Sequence, residues 1–162
     1  MARKFLMLLI VVVTTSNLFA QAPKNNGTIA PFVITLGDGK VFKAEELKKA
    51  PVMLVYFSPE CDHCKNFTKQ LIKNSRSFSD QQIVMVTYLS VEEVKNFIKT
   101  FDLSSHHNIK VGTEANTFLV RNYYNVEHFP FVALYDKTGK EVKLFANQPS
   151  IKDVLKAANK SR

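Results

Sequence analysis

Hydrophobic and polar positions follow two different periods along the chain, and these periods separate predicted strands from predicted helices. Nearly unbroken apolar runs of strand length occur at Val52–Phe57, Ile83–Leu89 and Phe131–Tyr135. Such runs are typical of strands that are buried on both faces of a sheet. Two shorter strands are predicted at Phe32–Leu36 and Val41-Phe42, because the intervening residues 37–39 form a tight Gly-Asp-Gly turn.

Segments with a helical period lie between these strands. Ser90 and Glu93 form a capping box at the start of one such segment, and Ser150 caps the last one. The stretch before Thr113 is irregular, with a short extended piece at 108–111, and Thr113 itself opens a further helix. The predicted helices cover residues 61–74, 90–101, 113–124 and 150–158, with a turn or two of helix at 45–49.

The order of these elements indicates one α/β domain. Strands that alternate with helices favour an α/β sheet, and a closing hairpin of Phe131–Tyr135 and Lys140–Phe145 adds antiparallel strands at one end. The turn of this hairpin is predicted at Asp136–Gly139. With 162 residues, of which 46% are hydrophobic, the chain holds enough apolar material for a single core.

The first residues are interpreted as a secretory signal. Arg3 and Lys4 precede the apolar run Phe5–Val13, and the small residue Ala20 stands at the expected cleavage position. An uncleaved membrane anchor is the alternative, but this run is far shorter than the about 20 apolar residues that cross a bilayer. We therefore expect a signal peptide at 1–20, a flexible leader at 21–29, a domain at 30–160 and a periplasmic or secreted protein.

The charge of the chain does not indicate a nucleic-acid partner. The formal net charge is +8, which by itself is compatible with binding to nucleic acid or to an anionic surface. The lysines are scattered, however, and no cluster of basic and aromatic residues stands out. Lys152, Lys156 and Lys160 share one helical face, which is typical of a solvated stripe. We expect no nucleic-acid binding.

The two cysteines of the chain, Cys61 and Cys64, lie three positions apart shortly after a predicted buried strand. A disulfide across so short a loop stabilises a fold by only about 2 kcal/mol, which favours a redox switch over a structural link. At a strand-to-helix junction the sulfur of Cys61 faces the positive end of the helix, which stabilises the reactive thiolate. Cys64, one turn deeper, is then suited to attack a mixed disulfide from behind.

Together, these motifs resemble those of the thioredoxin superfamily. The Cys-x-x-Cys after a strand is followed about 65 residues later by YNVEHFPFVALYDKTGKEV (Tyr124–Val142), in the expected order. The opening segment APFVITLGDGKVFKAEEL (Ala30–Leu47) further resembles the exported redoxin branch, which includes thiol reductases of cytochrome c maturation. The resemblance covers about Ala30 to Ala158. It implies a thioredoxin-like three-layer sandwich, with a central mixed sheet flanked by helices and an N-terminal β-hairpin extension.

The resemblance also implies roles for individual residues. Cys61 would be the nucleophile and Cys64 the resolving thiol. Pro130 would follow a cis peptide bond beside the pair, and the backbone of Phe129 would pair with an extended substrate segment. The implied activity is disulfide exchange with protein thiols or disulfides by a monomer. It needs no cofactor besides the Cys61–Cys64 disulfide, and a membrane electron donor or acceptor is a candidate partner.

A few positions depart from the family pattern and leave the direction of exchange open. A buried acid of thioredoxins is replaced by Val55, and the usual tryptophan before the first cysteine is replaced by Glu60. His63 precedes the second cysteine as in exported disulfide-forming oxidases, where it favours the thiolate, whereas Glu60 and Asp62 disfavour it. We expect Glu60, Asp62 and His63 to tune the redox pair, with the reductase direction preferred.

Two other uses of the cysteine pair stay open. Cys-x-x-Cys is also half of many zinc sites, and His106 with His107 is the candidate second half, so a copper- or zinc-binding chaperone without turnover is one alternative. A thiol peroxidase is a weaker one, because the proline and hydroxyl expected before a peroxidatic cysteine correspond to Leu54 and Ser58, and only Ser58 fits. We predict no metal site.

Overall fold

The computed structural model describes residues 26–160, so the predicted signal peptide at 1–20 and most of the predicted leader lie outside the described residues. The strands are β1 (Val33–Leu36), β2 (Val41–Lys43), β3 (Val52–Tyr56), β4 (Gln82–Thr87), β5 (Ile109–Thr113), β6 (Phe131–Tyr135) and β7 (Glu141–Phe145). The α-helices are α1 (Asp62–Lys73), α2 (Val91–Thr100), α3 (Leu119–Tyr123) and α4 (Ile151–Ala158). Short 3-10 helices occur at Ala44–Glu46, Ser75–Phe78, Leu103–Ser105 and Ala115–Thr117.

The strands form a mixed sheet in the order β2-β1-β5-β4-β3-β6-β7. The central strands β5, β4 and β3 are parallel to one another, and the other neighbours pair antiparallel. The closing hairpin β6–β7 forms one edge, and the N-terminal hairpin β1–β2 forms the other. This arrangement confirms the predicted fold class, a thioredoxin-like α/β sandwich with an N-terminal hairpin extension.

Both faces of the sheet are covered, which explains the unbroken apolar strands. All the residues of β3 and β6 are buried. On β3, Met53 and Val55 point into a core that is packed by α1, α2 and α4. Leu54 and Tyr56 point into a second core, formed with α3 and the segment around Phe32. The sheet is thus the middle of three layers.

Three of the helices begin as the sequence predicts, and Ser150 is the N-cap of α4. Cys61 is the N-cap of α1, and Cys64 and Leu71 lie on the buried face of this helix. At α2, the hydroxyl of Ser90 accepts the N–H of Glu93 at 3.3 Å, while the Glu93 carboxylate accepts the N–H of Ser90 at 2.8 Å. Among residues 26–160, no helix has the length and apolar character that crossing a membrane requires.

The predicted helix from Thr113 to about Tyr124 is wrong in its first half. Thr113 is the last residue of β5, which is a full strand where the sequence predicts only a short extended piece. Ala115 and Phe118 have φ angles of 49° and 46°. Left-handed backbone at these two residues interrupts a right-handed helix, so α3 begins only after Phe118.

The segment before β1 is attached at the end of the sheet where β3 begins. The carbonyl oxygen of Gly27 accepts the N–H of Glu141 at 2.9 Å, and that of Thr28 accepts the Tyr135 hydroxyl at 3.1 Å. Tyr135 in turn pairs with Val52, the first residue of β3. These hydrogen bonds fix where the chain enters the domain.

Candidate active site

The C-terminal end of β3 leads into the cysteine pair. The N–H of Cys61 donates to the carbonyl oxygen of Ser58 at 3.1 Å, which turns the chain from the strand towards α1. As the N-cap of α1, Cys61 accepts the N–H of Cys64 on its Sγ at 3.4 Å. The sulfur therefore caps the N-terminus of the helix, where the first N–H groups have no partner within the helix.

The second thiol is buried behind the first. Cys64 is only 1% exposed, whereas Cys61 is partly exposed, and both are free thiols in the structure. Burial raises the pKa of the Cys64 thiol, and a hydrogen bond with Cys61 raises this pKa further. Cys64 is therefore a neutral thiol at neutral pH, and Cys61 is the more exposed of the two sulfurs.

We expect an alkylating reagent to distinguish the two cysteines. In the reduced native protein at mildly alkaline pH, iodoacetamide should modify Cys61 and spare Cys64, because the second thiol is both buried and neutral. Intact-mass spectrometry should find a single adduct on the native protein and a second one only after unfolding in urea. Peptide mapping identifies the modified residue, and equal rates at the two cysteines would contradict this placement.

Strand pairing brings a distant segment to the cysteines. Tyr56, at the end of β3, pairs with Phe131, at the start of β6. The residues just before β6 therefore lie at the same end of the sheet as the cysteines, and the Phe129–Pro130 peptide bond there is cis. The thiol of Cys61 donates a long hydrogen bond to the Phe129 carbonyl oxygen, with Sγ and O 3.8 Å apart. The two residues predicted to form a substrate groove thus lie next to Cys61.

The three residues predicted to tune the pair are exposed around it. Asp62 forms an ion pair with Lys65, whose Nζ lies 3.1 Å from its Oδ1, and this contact partly neutralises the carboxylate. Glu60 precedes Cys61 directly and is exposed. His63 and Pro130 line a cavity of about 530 Å³ that extends to the N-terminus of α4. The structure therefore places two acids and one histidine at the rim of the cysteine pair.

A buried tyrosine–glutamate pair supports Phe129 from inside the fold. The Tyr56 hydroxyl donates to the Glu114 carboxylate at 2.7 Å, and the same carboxylate accepts the N–H groups of Val120 at 2.6 Å and Arg121 at 3.3 Å. Burial, with the neighbouring carboxylate as the next cause, raises the pKa of Tyr56. The rings of Tyr56 and Phe129 pack with centroids 5.8 Å apart. The pair therefore connects α3 to the residue whose carbonyl contacts the outer cysteine.

The sequence pattern does not predict this pair. Tyr56 is indistinguishable from the other members of an apolar strand, and Glu114 falls in a segment predicted as helix. One signal points to it once the strands are placed correctly, because Glu114 directly follows β5. The C-terminal ends of parallel strands lie at the same end of the sheet, and α/β proteins bind their ligands at this end.

The two histidines considered as metal ligands do not join the cysteines. His106 and His107 precede β5, whose first residue, Ile109, pairs with Ile83 at the start of β4. They therefore lie at the end of the sheet opposite to Cys61. Across the part of the chain that the structure describes, no three His, Cys, Asp or Glu side chains are grouped as a metal site requires.

The geometry around the cysteines defines a class of protein. A Cys-x-x-Cys pair at the start of a helix, with its outer sulfur accessible and a cis-proline beside it, is the site of a thiol–disulfide oxidoreductase of the thioredoxin type. Residues 49–141, more than half of the chain, match the family described as Thioredoxin-like, and the chain belongs to this family. The resemblance stated from the sequence is thereby confirmed. No curated protein matches the chain.

Solved structures of similar fold come from several bacteria. A secreted Mycobacterium tuberculosis disulfide oxidoreductase homologous to E. coli DsbE has a TM-score of 0.67 and 18% identity, covering 80% of this chain and 96% of its own. A thiol:disulfide interchange protein of the thioredoxin family from Chlorobium tepidum has a TM-score of 0.66 and 17% identity, covering 86% and 96%. The peroxidoxin BcpB from M. tuberculosis has a TM-score of 0.70 and 13% identity, covering 83% and 96%. At these identities the likeness establishes the fold alone.

Proposed function

We propose that this protein is an exported oxidoreductase that exchanges disulfides with protein substrates through Cys61 and Cys64. One observation carries the proposal. The Sγ of Cys61 lies at a helix N-terminus and within 3.8 Å of the carbonyl oxygen that precedes a cis-proline, and the buried Cys64 lies directly behind it. An accessible nucleophile backed by a covered second thiol is the arrangement that disulfide exchange requires.

The reaction takes place in two exchanges of one sulfur–sulfur bond for another. The Cys61 thiolate attacks one sulfur of a substrate disulfide, a mixed disulfide forms, and the other substrate sulfur leaves as a thiolate that takes up a proton. Cys64 then loses its proton and attacks the Cys61 sulfur, which releases the second substrate thiolate and closes the Cys61–Cys64 disulfide. Two electrons pass to the substrate, and a dithiol protein that acts as electron donor returns them by the same steps in reverse.

Phe129 and Pro130 are the proposed contacts for the substrate chain. The Phe129 carbonyl already faces the Cys61 thiol, so an extended segment that crosses this point can pair its backbone with residue 129 while its sulfur reaches Cys61. The cavity of about 530 Å³ beside His63 and Pro130 is the concave surface next to this path. Recognition is then mainly through backbone groups, which suits a protein with more than one substrate.

We propose the reductase direction for this exchange. Glu60 and Asp62 carry negative charge next to Cys61, and negative charge disfavours a thiolate, so the two acids favour the disulfide form of this protein. A protein that prefers its own disulfide gives electrons to its substrates. His63 has the opposite effect, and the Lys65 ion pair weakens that of Asp62, so Glu60 is the acid that acts most directly.

Export and domain limits are part of the proposal. The signal peptide at 1–20 would be removed and the leader at 21–29 would precede a thioredoxin-like domain at 30–160. Ala30 is buried and its N–H donates to the Tyr124 hydroxyl at 2.9 Å, which supports a domain that begins at residue 30. Residues 27 and 28, which precede it, are hydrogen-bonded to the domain. The similar M. tuberculosis protein is described as secreted.

The reduction potential of the cysteine pair tests the function and its direction together. We expect equilibration in graded dithiothreitol or glutathione buffers to give a value nearer to the about −270 mV of thioredoxin than to the about −120 mV of a strong oxidase. The oxidised fraction is measured by mass after trapping free thiols with a maleimide. Glu60→Gln should raise the potential, because it removes a charge that disfavours the thiolate, and His63→Gln should lower it.

The possible results separate the alternatives. A value near the oxidase end would reverse the proposed direction and leave the exchange activity in place. Failure to form a Cys61–Cys64 disulfide reversibly would contradict the function itself, and an anaerobic titration with Cu(I) and Zn(II) would then be the next experiment.

A further inference from the structure

An arginine on α3 lies against the aromatic residues beside the cysteines. The Cζ of Arg121 is 5.8 Å from the centre of the Phe129 ring and 6.0 Å from the centre of the Tyr88 ring. These two rings are themselves 6.2 Å apart, and Phe118 is a further 6.2 Å from Tyr88. Each ring attracts the cation, which favours a position of the guanidinium over the two rings.

The guanidinium has no carboxylate partner among residues 26–160. The ion pairs in this part of the chain join other residues, which lie on the turn between β1 and β2, on α1 and on α2. Glu127 and Glu114 are the acids nearest to Arg121 along the chain. The Glu127 carboxylate accepts the side-chain amide of Asn125 at 3.3 Å, and the Glu114 carboxylate is buried and binds the Tyr56 hydroxyl and two backbone N–H groups. Arg121 is partly exposed. Its planar group of N–H donors is thus oriented and available to a carboxylate from outside.

Phe129 connects this arginine to the redox chemistry. Its carbonyl oxygen lies 3.8 Å from the Cys61 Sγ, while its ring lies against Arg121. A substrate segment that pairs with the backbone of Phe129 therefore passes both groups. An extended chain advances about 3.5 Å per residue, so a side chain within about three positions of the substrate cysteine reaches the guanidinium.

We infer that Arg121, held on the rings of Phe129 and Tyr88, is a subsite for a carboxylate side chain, and that the protein acts preferentially on cysteines with a glutamate or aspartate within about three positions. The inference rests on the proposed disulfide exchange. The aromatic rings around the guanidinium exclude water from one side of the ion pair, which strengthens it relative to a fully solvated one. The arginine would act on substrate choice and would take no part in the exchange itself.

The experiment compares matched peptides that differ in one charge. Short acetylated and amidated peptides carry one cysteine as its methyl disulfide, with glutamate or glutamine placed two positions before or two positions after it. Each is mixed with fully reduced protein, and the released peptide thiol is followed by chromatography to give a second-order rate constant. For one of the two placements, we expect glutamate to react about tenfold faster than glutamine, the gain of one charge-assisted contact.

Variants of Arg121 and a high salt concentration test whether this preference comes from the charge of Arg121. In Arg121→Gln the two peptides should react at equal rates, in Arg121→Glu the glutamine peptide should be the faster one, and Arg121→Lys should retain part of the preference. Lys110→Gln is the matched control, because it removes one positive charge that also lies over an aromatic ring, 4.8 Å from Phe42, at the other end of the sheet. This variant should keep the wild-type ratio between the rate constants of the glutamate and glutamine peptides. In the wild type, the ratio should fall towards one at about 1 M salt, where the Debye length is about 3 Å.

The outcomes distinguish this inference from the function on which it rests. A reactive wild-type protein with equal rates for all the peptides would overturn the carboxylate subsite alone. So would a preference that survives in Arg121→Gln but is lost in Lys152→Gln, since Lys152 lines the cavity beside Pro130, which Arg121 does not line. Absence of reaction with every peptide would overturn the disulfide exchange and the subsite together.

Discussion

Cys61→Ser is expected to abolish disulfide exchange, whereas Cys64→Ala should stop the reaction at the mixed disulfide. The first variant loses the accessible nucleophile, and serine preserves the start of α1 because it is a preferred N-cap residue. The second keeps the nucleophile but has no thiol to release the substrate. Alanine is chosen at position 64 because it removes the sulfur and places no hydrogen-bonding hydroxyl beside Cys61.

Reduction of insulin with dithiothreitol as the electron donor measures both effects. Cys61→Ser should fall to the rate of dithiothreitol alone. Cys64→Ala should accumulate a covalent complex with insulin that is visible on a non-reducing gel and disappears on adding excess reductant. Lys110→Gln, at the other end of the sheet, should retain the activity of the wild type. Normal turnover in Cys61→Ser would contradict the assignment, as would a complex formed by Cys61→Ser through Cys64.

Glu114→Ala is expected to have the largest effect on stability among the polar residues around the site. Its carboxylate accepts three hydrogen bonds in an environment where Glu114 is 3% exposed. Each buried donor left without an acceptor costs about 1–3 kcal/mol, so the free energy of unfolding should fall by about 3–5 kcal/mol. Urea unfolding followed by circular dichroism measures the change, which is large against a typical total of about 5–15 kcal/mol.

Two further variants connect this loss to the tyrosine. Glu114→Gln keeps an acceptor and should cost less than Glu114→Ala, and Tyr56→Phe removes one donor while leaving the ring against Phe129. In a double-mutant cycle, the effects of Tyr56→Phe and Glu114→Ala should not add, because the two residues share one hydrogen bond. Glu45→Ala, at an exposed glutamate, is the control and should change stability by no more than about 0.5 kcal/mol. Additive effects would mean that the pair is not coupled.

Features governed by local sequence were predictable here, and those that depend on contacts between distant segments were less so. The buried strands β3 and β6 and the cap of α2 follow from short patterns, and the position of Cys61 follows from the strand that precedes it. Phe129 and Pro130 required the resemblance to a family, because no local signal places them beside the cysteines. The prediction of a helix from Thr113 was wrong because the hydrophobic pattern does not indicate the left-handed backbone at Ala115 and Phe118. The Tyr56–Glu114 hydrogen bond joins residues 58 positions apart, so only the folded sheet reveals it.

The point where the chain enters the domain and the cysteine pair lie at opposite ends of β3. Gly27 and Thr28 are hydrogen-bonded next to the start of β3, whereas Cys61 follows the end of this strand. The strand separates the two points by about 3.3 Å for each of its residues. The chain thus enters at one pole of the domain, and the exchange of sulfur bonds is placed at the other. A protein partner that exchanges a disulfide with Cys61 would therefore dock at the end of the domain opposite to the one where the chain enters.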